Sequence, residues 1–266
     1  MVPRERVIVI TNDDGIHSVG IAAAADAVCN LGKVIIVAPS TQKSGVGRSL
    51  SLFEPIRVSK ARVNNHEAYA IGGTPTDAVL IAEYAILKRK PDLLISGINI
   101  GENVSTESVM TSGTVGAALE GASQKIPSIA VSVQARDIDI FEPRAEIEFT
   151  LAKTVLRTVS AHVLMNGMPK KVDVLNINIP MNKGEANYKT TKLARNVFDI
   201  RILERFDPRG YAYFWIDSDF LTNHDTDTDV YALKQGFVSV TPISIDNTAD
   251  VDREELMKWL KFSFSS

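Results

Sequence analysis

The chain has 266 residues, 45% apolar and 23% charged, a balance that excludes a disordered, collagen-like or coiled-coil polypeptide and suffices for one or two domains. Lys and Arg number 29 against 32 Asp and Glu, so the net charge of −3 advertises neither a nucleic-acid polymer nor an anionic membrane as partner. The single cysteine, Cys29, excludes an intramolecular disulfide and a multi-cysteine zinc site.

From the N-terminus, residues 6–10 form a short β-branched run that suits a strand buried on both faces. Residues 1–6 lack the apolar core of a signal peptide, and no run approaches the roughly 20 apolar residues of a membrane span, so the expectation is a cytoplasmic protein. Residues 19–31 are alanine-rich and helical up to Gly32, and Cys29 among those alanines is expected to be a buried small apolar residue. A second buried run, 33–38, ends at Pro39. Residues 50–59 and 66–71 alternate and read as an antiparallel ribbon. Thr74-Pro75-Thr76-Asp77 carries a helix start: a threonine cap, proline at the first helical position and a carboxylate at the positive end.

Residues 92–96 predict a third buried strand, followed by a helix over 114–125, a strand over 128–133, a helix over 144–163 and a strand over 172–179. Strands alternating with helices specify an α/β fold, a mostly parallel sheet with helices on both faces. Residues 187–231 are rich in aromatics and poor in helical periodicity, which predicts an extended, hairpin-like elaboration over 183–235 whose aromatics need a partner surface. A strand over 237–243 and a helix over 252–262 close the chain. With no internal repeat or flexible linker, residues 1–266 read as a single domain.

In open parallel sheets ligands bind at the carboxyl ends of the strands, and polar residues gather there. The first strand ends in Thr11-Asn12-Asp13-Asp14-Gly15. Two adjacent carboxylates repel and are costly to desolvate, a conflict that a hard divalent cation removes; a plain polar turn is the other reading of the same residues. The second strand leads into Lys43, Ser44 and Arg48, and the third into Ser96-Gly97-Ile98-Asn99-Ile100-Gly101-Glu102-Asn103. Neutral oxygens from Ser44 and Asn99 suit Mg²⁺ or Mn²⁺ beside two carboxylates, and Asn103 stands where it could meet a phosphate oxygen. Ser112-Gly113-Thr114 at a helix start offers outward N–H groups to an anion, or is an ordinary N-cap. A Gly-x-x-x-x-Gly-Lys-Ser/Thr loop, a Gly-x-Gly-x-x-Gly turn and a Gly-x-Ser-x-Gly elbow are absent. Asp225, Asp227 and Asp229 imitate an EF-hand start, but Val230 and Gly236 occupy its glycine and glutamate positions.

Together these residues resemble the stationary-phase survival protein SurE family of metal-dependent nucleotide phosphatases. The resemblance rests on Thr11-Asn12-Asp13-Asp14-Gly15-Ile16, Val37-Ala38-Pro39 with Ser44-Gly45, Gly73-Thr74-Pro75-Thr76-Asp77, and the stretch from Ser96 to Asn103. It continues through Ser112-Gly113-Thr114-Val115-Gly116 and on to Ala122, then Leu175-Asn176-Ile177-Asn178-Ile179-Pro180 and Gly236-Phe237-Val238-Ser239-Val240-Thr241-Pro242. It implies a Rossmann-like body and one divalent cation per subunit, Mg²⁺ or Mn²⁺, on Asp13, Asp14, Ser44 and Asn99. It further implies hydrolysis of nucleoside monophosphates (a 5'-nucleotidase), with broader phosphatase or exopolyphosphatase activity in some members. Self-association into dimers or tetramers through exchanged C-terminal segments also follows from it. Thr111 departs from the family, which more often has His or Tyr before Ser-Gly-Thr. On this reading Asp13 and Asp14 are catalytic, while Asn12, Asn103, Ser112, Gly113 and Thr114 contact the substrate phosphoryl group. The alternatives are a nucleotide-binding regulatory protein that does not hydrolyse its ligand and a nucleotide-sugar glycosyltransferase.

Overall fold

The computed structural model describes residues 5–135, 147–181, 184–221 and 224–262. Along the chain run β1 (Val7–Thr11), α1 (Val19–Val28), β2 (Lys33–Pro39), β3 (Val58–Val63), β4 (His66–Ile71) and α2 (Pro75–Leu80), the last continuing as a π-helical stretch over Ile81–Leu87. Then come β5 (Leu93–Ile100), α3 (Ser105–Thr111), α4 (Gly113–Ser123), β6 (Ser128–Val133), α5 (Thr150–Asn166) and β7 (Val174–Ile179). The last third holds β8 (Tyr188–Thr190), β9 (Phe198–Phe206), β10 (Ala212–Phe220), α6 (Asp229–Lys234), β11 (Val238–Ile243) and α7 (Arg253–Phe262).

One nine-stranded sheet has the order β3-β4-β2-β1-β5-β6-β7-β11-β8. From β4 through β7 every neighbouring pair is parallel, while β3 and β11 pair antiparallel with β4 and β7. The alternating side chains of β1 explain why the strand reads as a continuous apolar run. Ile8 and Ile10 pack with Ile21, Ala24 and Val28 of α1 and with Val155 and Leu156 of α5. Val7 and Val9 pack on the opposite face with Ala78 and Val79 of α2 and Ala117 of α4. Both faces are covered, as parallel sheets require.

Local chemistry sets the element ends. α2 begins with a reciprocal capping box: Thr74 Oγ1 accepts from Asp77 N at 3.1 Å, and Asp77 Oδ2 accepts from Thr74 N at 2.8 Å. The expected strand over 50–59 is displaced, since β3 starts only at Val58. Asp77 takes both the N–H and the hydroxyl of Ser51, and Thr74 Oγ1 donates to Ser49 O, so this stretch follows the α2 cap instead of pairing with β4. Cys29 is exposed at the end of α1, which corrects the expectation of burial; the helix turns its alanines inward and Cys29 outward. Of the helix expected over 144–163, residues 144–146 lie outside the described residues, and α5 covers 150–166. The aromatic elaboration does form a hairpin, β9 with β10, from the Ala212–Phe206 pair to the Phe220–Phe198 pair.

Candidate active site

The chain passes from β1 to β2 on one side, while β5 pairs with the other side of β1. Strand order therefore reverses at β1, and a crevice opens outside the carboxyl ends of β1 and β5, where doubly wound sheets bind ligands. Asn12, Asp13 and Asp14 follow β1 directly into that crevice. Asn12 is fully buried within the turn. Its Nδ2 donates to Gly15 O at 3.1 Å and Ser18 Oγ at 2.7 Å, and its Oδ1 accepts from Gly15 N at 3.2 Å. Both amide hydrogens are engaged, so its side chain shapes the turn and leaves no donor over for a substrate.

Asp13 is buried and meets the start of α4. Thr114 Oγ1 donates to Asp13 Oδ1 at 2.5 Å, and the backbone N–H groups of Gly113 and Thr114 also favour the Asp13 carboxylate. A Cβ on Gly113 would lie 2.8 Å from Asp13 Cβ, so only glycine lets the helix approach this closely. The helix start that could have been a plain cap thus holds an anion, and that anion is a side chain of the protein itself. Burial still wins over these bonds and raises the Asp13 pKa. Asp14 is pushed up to about 6, first by burial and then by the Asp13 charge, against one opposing N–H bond from Ile100 at 3.3 Å. No Lys or Arg pairs with either carboxylate among the described residues.

β5 runs further than the sequence pattern suggests, and a register shift against β6 between Ser96 and Asn99 places Asn99 at its end. Gly97, at φ 133°, makes this bend possible, since a Cβ there would lie 2.2 Å from Val131 O. Asn99 Nδ2 donates to Gly101 O at 2.7 Å, so its Oδ1 is the atom left to accept or ligate. Ser44 sits exposed in the loop after β2, its Oγ accepting from Gln42 Nε2 at 2.9 Å. That loop is tied to the crevice by Lys43 N on Asp13 O at 2.6 Å and by Gly47 N on Thr111 O at 2.8 Å. The side chain of Arg48 turns along α4. Its Nε and Nη2 both bond Glu120 Oε2, at 2.9 and 2.8 Å.

Ser112 is the N-cap of α4, its Oγ accepting from Val115 N at 3.1 Å. Asn103 is gripped on all sides: its N–H donates to Asn178 Oδ1 at 2.8 Å, and its carbonyl accepts from Asn176 and Asn178 at 2.8 and 3.0 Å. Its own Nδ2 donates to Ser132 Oγ at 2.9 Å. Ser132, Asn176 and Asn178 were not singled out from the sequence as part of this site, although two asparagines in alternate positions of an apolar strand are a visible signal. The structure thus gathers Asp13, Asp14, Gly113 and Thr114 in direct contact or adjacency, with the Asn99 and Ser44 loops joined to them through Ile100 and Lys43. Among the described residues no three His, Cys, Asp or Glu cluster; two carboxylates and neutral oxygens form the candidate set.

Comparison with known proteins identifies this arrangement. The model of the family described as Survival protein SurE matches residues 8–199. The chain belongs to the SurE family. A 5'-nucleotidase SurE of Archaeoglobus fulgidus is 47% identical over 252 residues, 95% of this chain and 96% of that protein. A 5'-nucleotidase SurE of Methanoculleus marisnigri is 49% identical over 252 residues, covering 94% and 95%. The crystal structure of the SurE protein from Aquifex aeolicus superposes with a TM-score of 0.80 at 35% identity, over 97% of this chain and 99% of that one. The α/β fold expected from the alternation of strands and helices is therefore the SurE fold, and no helix among the described residues is long and apolar enough to cross a membrane.

Proposed function

We propose that this chain is a divalent-metal-dependent 5'-nucleotidase, which splits nucleoside monophosphates with water into nucleoside and phosphate. The observation that carries the reading is the Asp13–Asp14 pair: two neighbouring carboxylates at the switch point, both with raised pKa and neither offset by a basic side chain among the described residues. The names of the SurE relatives point to the same reaction. Buried carboxylates without a counter-charge are unfavourable, and a donor set of two carboxylates, the Ser44 hydroxyl and the Asn99 amide oxygen suits a hard cation such as Mg²⁺ or Mn²⁺.

On this reading Asp13, Asp14, Ser44 and Asn99 hold one cation per subunit. When bound, the cation polarises a phosphate oxygen and acidifies water. Thr114 and the first amides of α4 favour the ionised form of Asp13 against its burial and aim its carboxylate. Asp14, less buried than Asp13, stands where it can hold a proton from the attacking water. Asn103 and the Ser112 hydroxyl receive the phosphoryl oxygens as negative charge redistributes, while Gly113 and Thr114 border them and direct their donors at Asp13. Asn12 acts behind them by fixing the turn.

The test is phosphate release from a panel of nucleoside monophosphates, a simple aryl phosphate and polyphosphate, with Mg²⁺ or Mn²⁺ and with EDTA. Release that needs metal and stops with EDTA is expected. Nucleotide binding without release from folded protein would overturn the reading in favour of a regulatory binding protein.

Self-association belongs to the same proposal. The β9–β10 register places Ile200, Ile202, Phe206, Phe214 and Ile216 on one exposed face, and the Arg201 pairs with Asp217 and Asp219 on the other. A two-stranded hairpin alone is marginally stable in water, and Leu256, Met257 and Leu260 of α7 form a second exposed apolar stripe. A second copy of the chain is the occupant that covers both.

A further inference from the structure

Asp229 is fully buried and takes no part in the site described above. Its carboxylate gathers three backbone N–H groups from three stretches of chain. Ser105 N reaches Oδ2 at 2.8 Å, while Ala194 N and Val230 N reach Oδ1 at 2.9 and 2.8 Å. No Lys or Arg neutralises it among the described residues. A buried carboxylate is kept only where such donors hold it, so these bonds define the geometry around it.

Two of the donors, Ser105 and Ala194, come from distant stretches, while Val230 is Asp229's own neighbour in α6. Ser105 lies two residues after Asn103 and opens α3, and its φ of 69° is a left-handed conformation that a serine adopts only when its surroundings hold it. Ala194 lies at the root of the β9–β10 arm. Around the carboxylate, Val104, Ala194, Val197, Val230 and Leu233 form one apolar cluster, with Phe198 of β9 packed against it. Thr106 N adds a second link to the arm root by donating to Ala194 O at 2.7 Å.

We propose that Asp229 is a positioning residue that locks the Asn103–Ser105 turn to the root of the arm, so that the phosphoryl contact of Asn103 depends on it. The two oxygens of one rigid carboxylate face opposite stretches, so the arm root and the crevice turn keep a fixed spacing. β6 and β7 hold Asn103 from one side through Ser132, Asn176 and Asn178, and Asp229 holds the turn from the other. The inference rests on the reading of Asn103 as a phosphoryl contact.

Asp229→Asn replaces one acceptor oxygen with an NH₂ donor. The remaining oxygen stays with the two-bond pair from Ala194 and Val230, and the Ser105 N–H then faces a donor. A double-mutant cycle with Asn103→Ala, read as kcat and KM on a nucleoside monophosphate with Mn²⁺, tests the coupling. Asn103→Ala is expected to lower kcat about 100-fold. Asp229→Asn is expected to lower kcat about 10-fold in the otherwise native chain, with KM little changed, and to have almost no further effect in the Asn103→Ala background. Equal losses in the two backgrounds, or no loss in either, would overturn the inference and leave the function of Asn103 standing. An unaffected Asn103→Ala variant removes the reading of Asn103 itself, and the inference with it. Should Asp229→Asn fail to fold, the cycle is run with Ser105→Gly added, since glycine takes the positive φ unaided and keeps the N–H. Loss of the fold there too would assign Asp229 to folding alone and overturn the inference.

Discussion

Burial and the Asp13 charge raise Asp14 from 3.8 to about 6, and burial raises Asp13 as well. A carboxylate raised in the folded state binds its proton there more tightly than in the unfolded chain, so folding is penalised once both states ionise. The metal-free protein is therefore expected to lose stability as pH rises from about 4 to 6, by up to about 3 kcal/mol for Asp14 alone. Calorimetric melting across that range with EDTA checks it; a flat or rising Tm would contradict the assignment. Mn²⁺ needs both carboxylates ionised, so its stabilising effect should be large above pH 6 and fade below it. Asp13→Asn removes one buried charge. The variant should melt no lower than the native chain in EDTA, lose its Mn²⁺-induced Tm shift, and release phosphate about 1,000-fold more slowly. Asp13 and Asp14 were legible from their adjacency at a strand end. That Thr114 serves Asp13, and that Asn12 is consumed by its own turn, was not, because the partners of Thr114 and Asn12 are set by how close α4 and α1 come to β1.

Two packing contacts at the scale of elements control the loops of the site. α1 crosses the end of β5 so closely that a Cβ on Gly20 would lie 2.0 Å from the carbonyl oxygen of Ile98. Gly20→Ala must push α1 away from the strand end that carries Asn99. It is expected to cost about 1–3 kcal/mol, to lower Tm accordingly, and to weaken Mn²⁺ binding, measured by titration on the purified protein. On the other face, Arg48 ties the Ser44 loop to Glu120, whose side chain is buried while that of Arg48 is half-exposed. Arg48→Ala leaves Glu120 buried without its cation, at an expected cost of about 1–3 kcal/mol in denaturant unfolding, because solvent screens part of the pair. The long parallel strands and α1, α4 and α5 were readable because each carries its own pattern, and α2, only six residues long, because Thr74-Pro75-Thr76-Asp77 marks its start. α3 and α6 were not, being seven and six residues long; they are held by bonds such as that of Asp229 to Ser105, not by a local pattern.

For the whole molecule, the exposed apolar face of the β9–β10 arm and the stripe on α7 are the features a lone subunit leaves unsatisfied. Ile202 and Ile216 are cross-strand partners on that face. The double substitution Ile202→Asp and Ile216→Asp is expected to shift the protein from dimer or larger to monomer in light scattering, with the α/β body still folded by circular dichroism. An unchanged molar mass would mean that the arm is not the contact between copies. Because the arm root packs with Val104, such a monomer should also lose some phosphate release.

Burial on both faces forces β-branched strands and alanine-rich helices, and every parallel crossover must place its loops at one sheet edge. Those constraints act along the chain, so the α/β class, the hairpin and the strand-end location of the Asp13–Asp14 pair could be read from residue order alone. The bend that turns Asn99, the three side chains that clamp Asn103, the turning of Arg48 away from the crevice and the exposure of Cys29 could not. Each depends on which distant segment arrives at contact distance, as Asn178 does across 75 residues and Asp229 across 124. Hydrogen bonds and close approach act at about 3 Å, and only the packed sheet and its helices bring such residues that near.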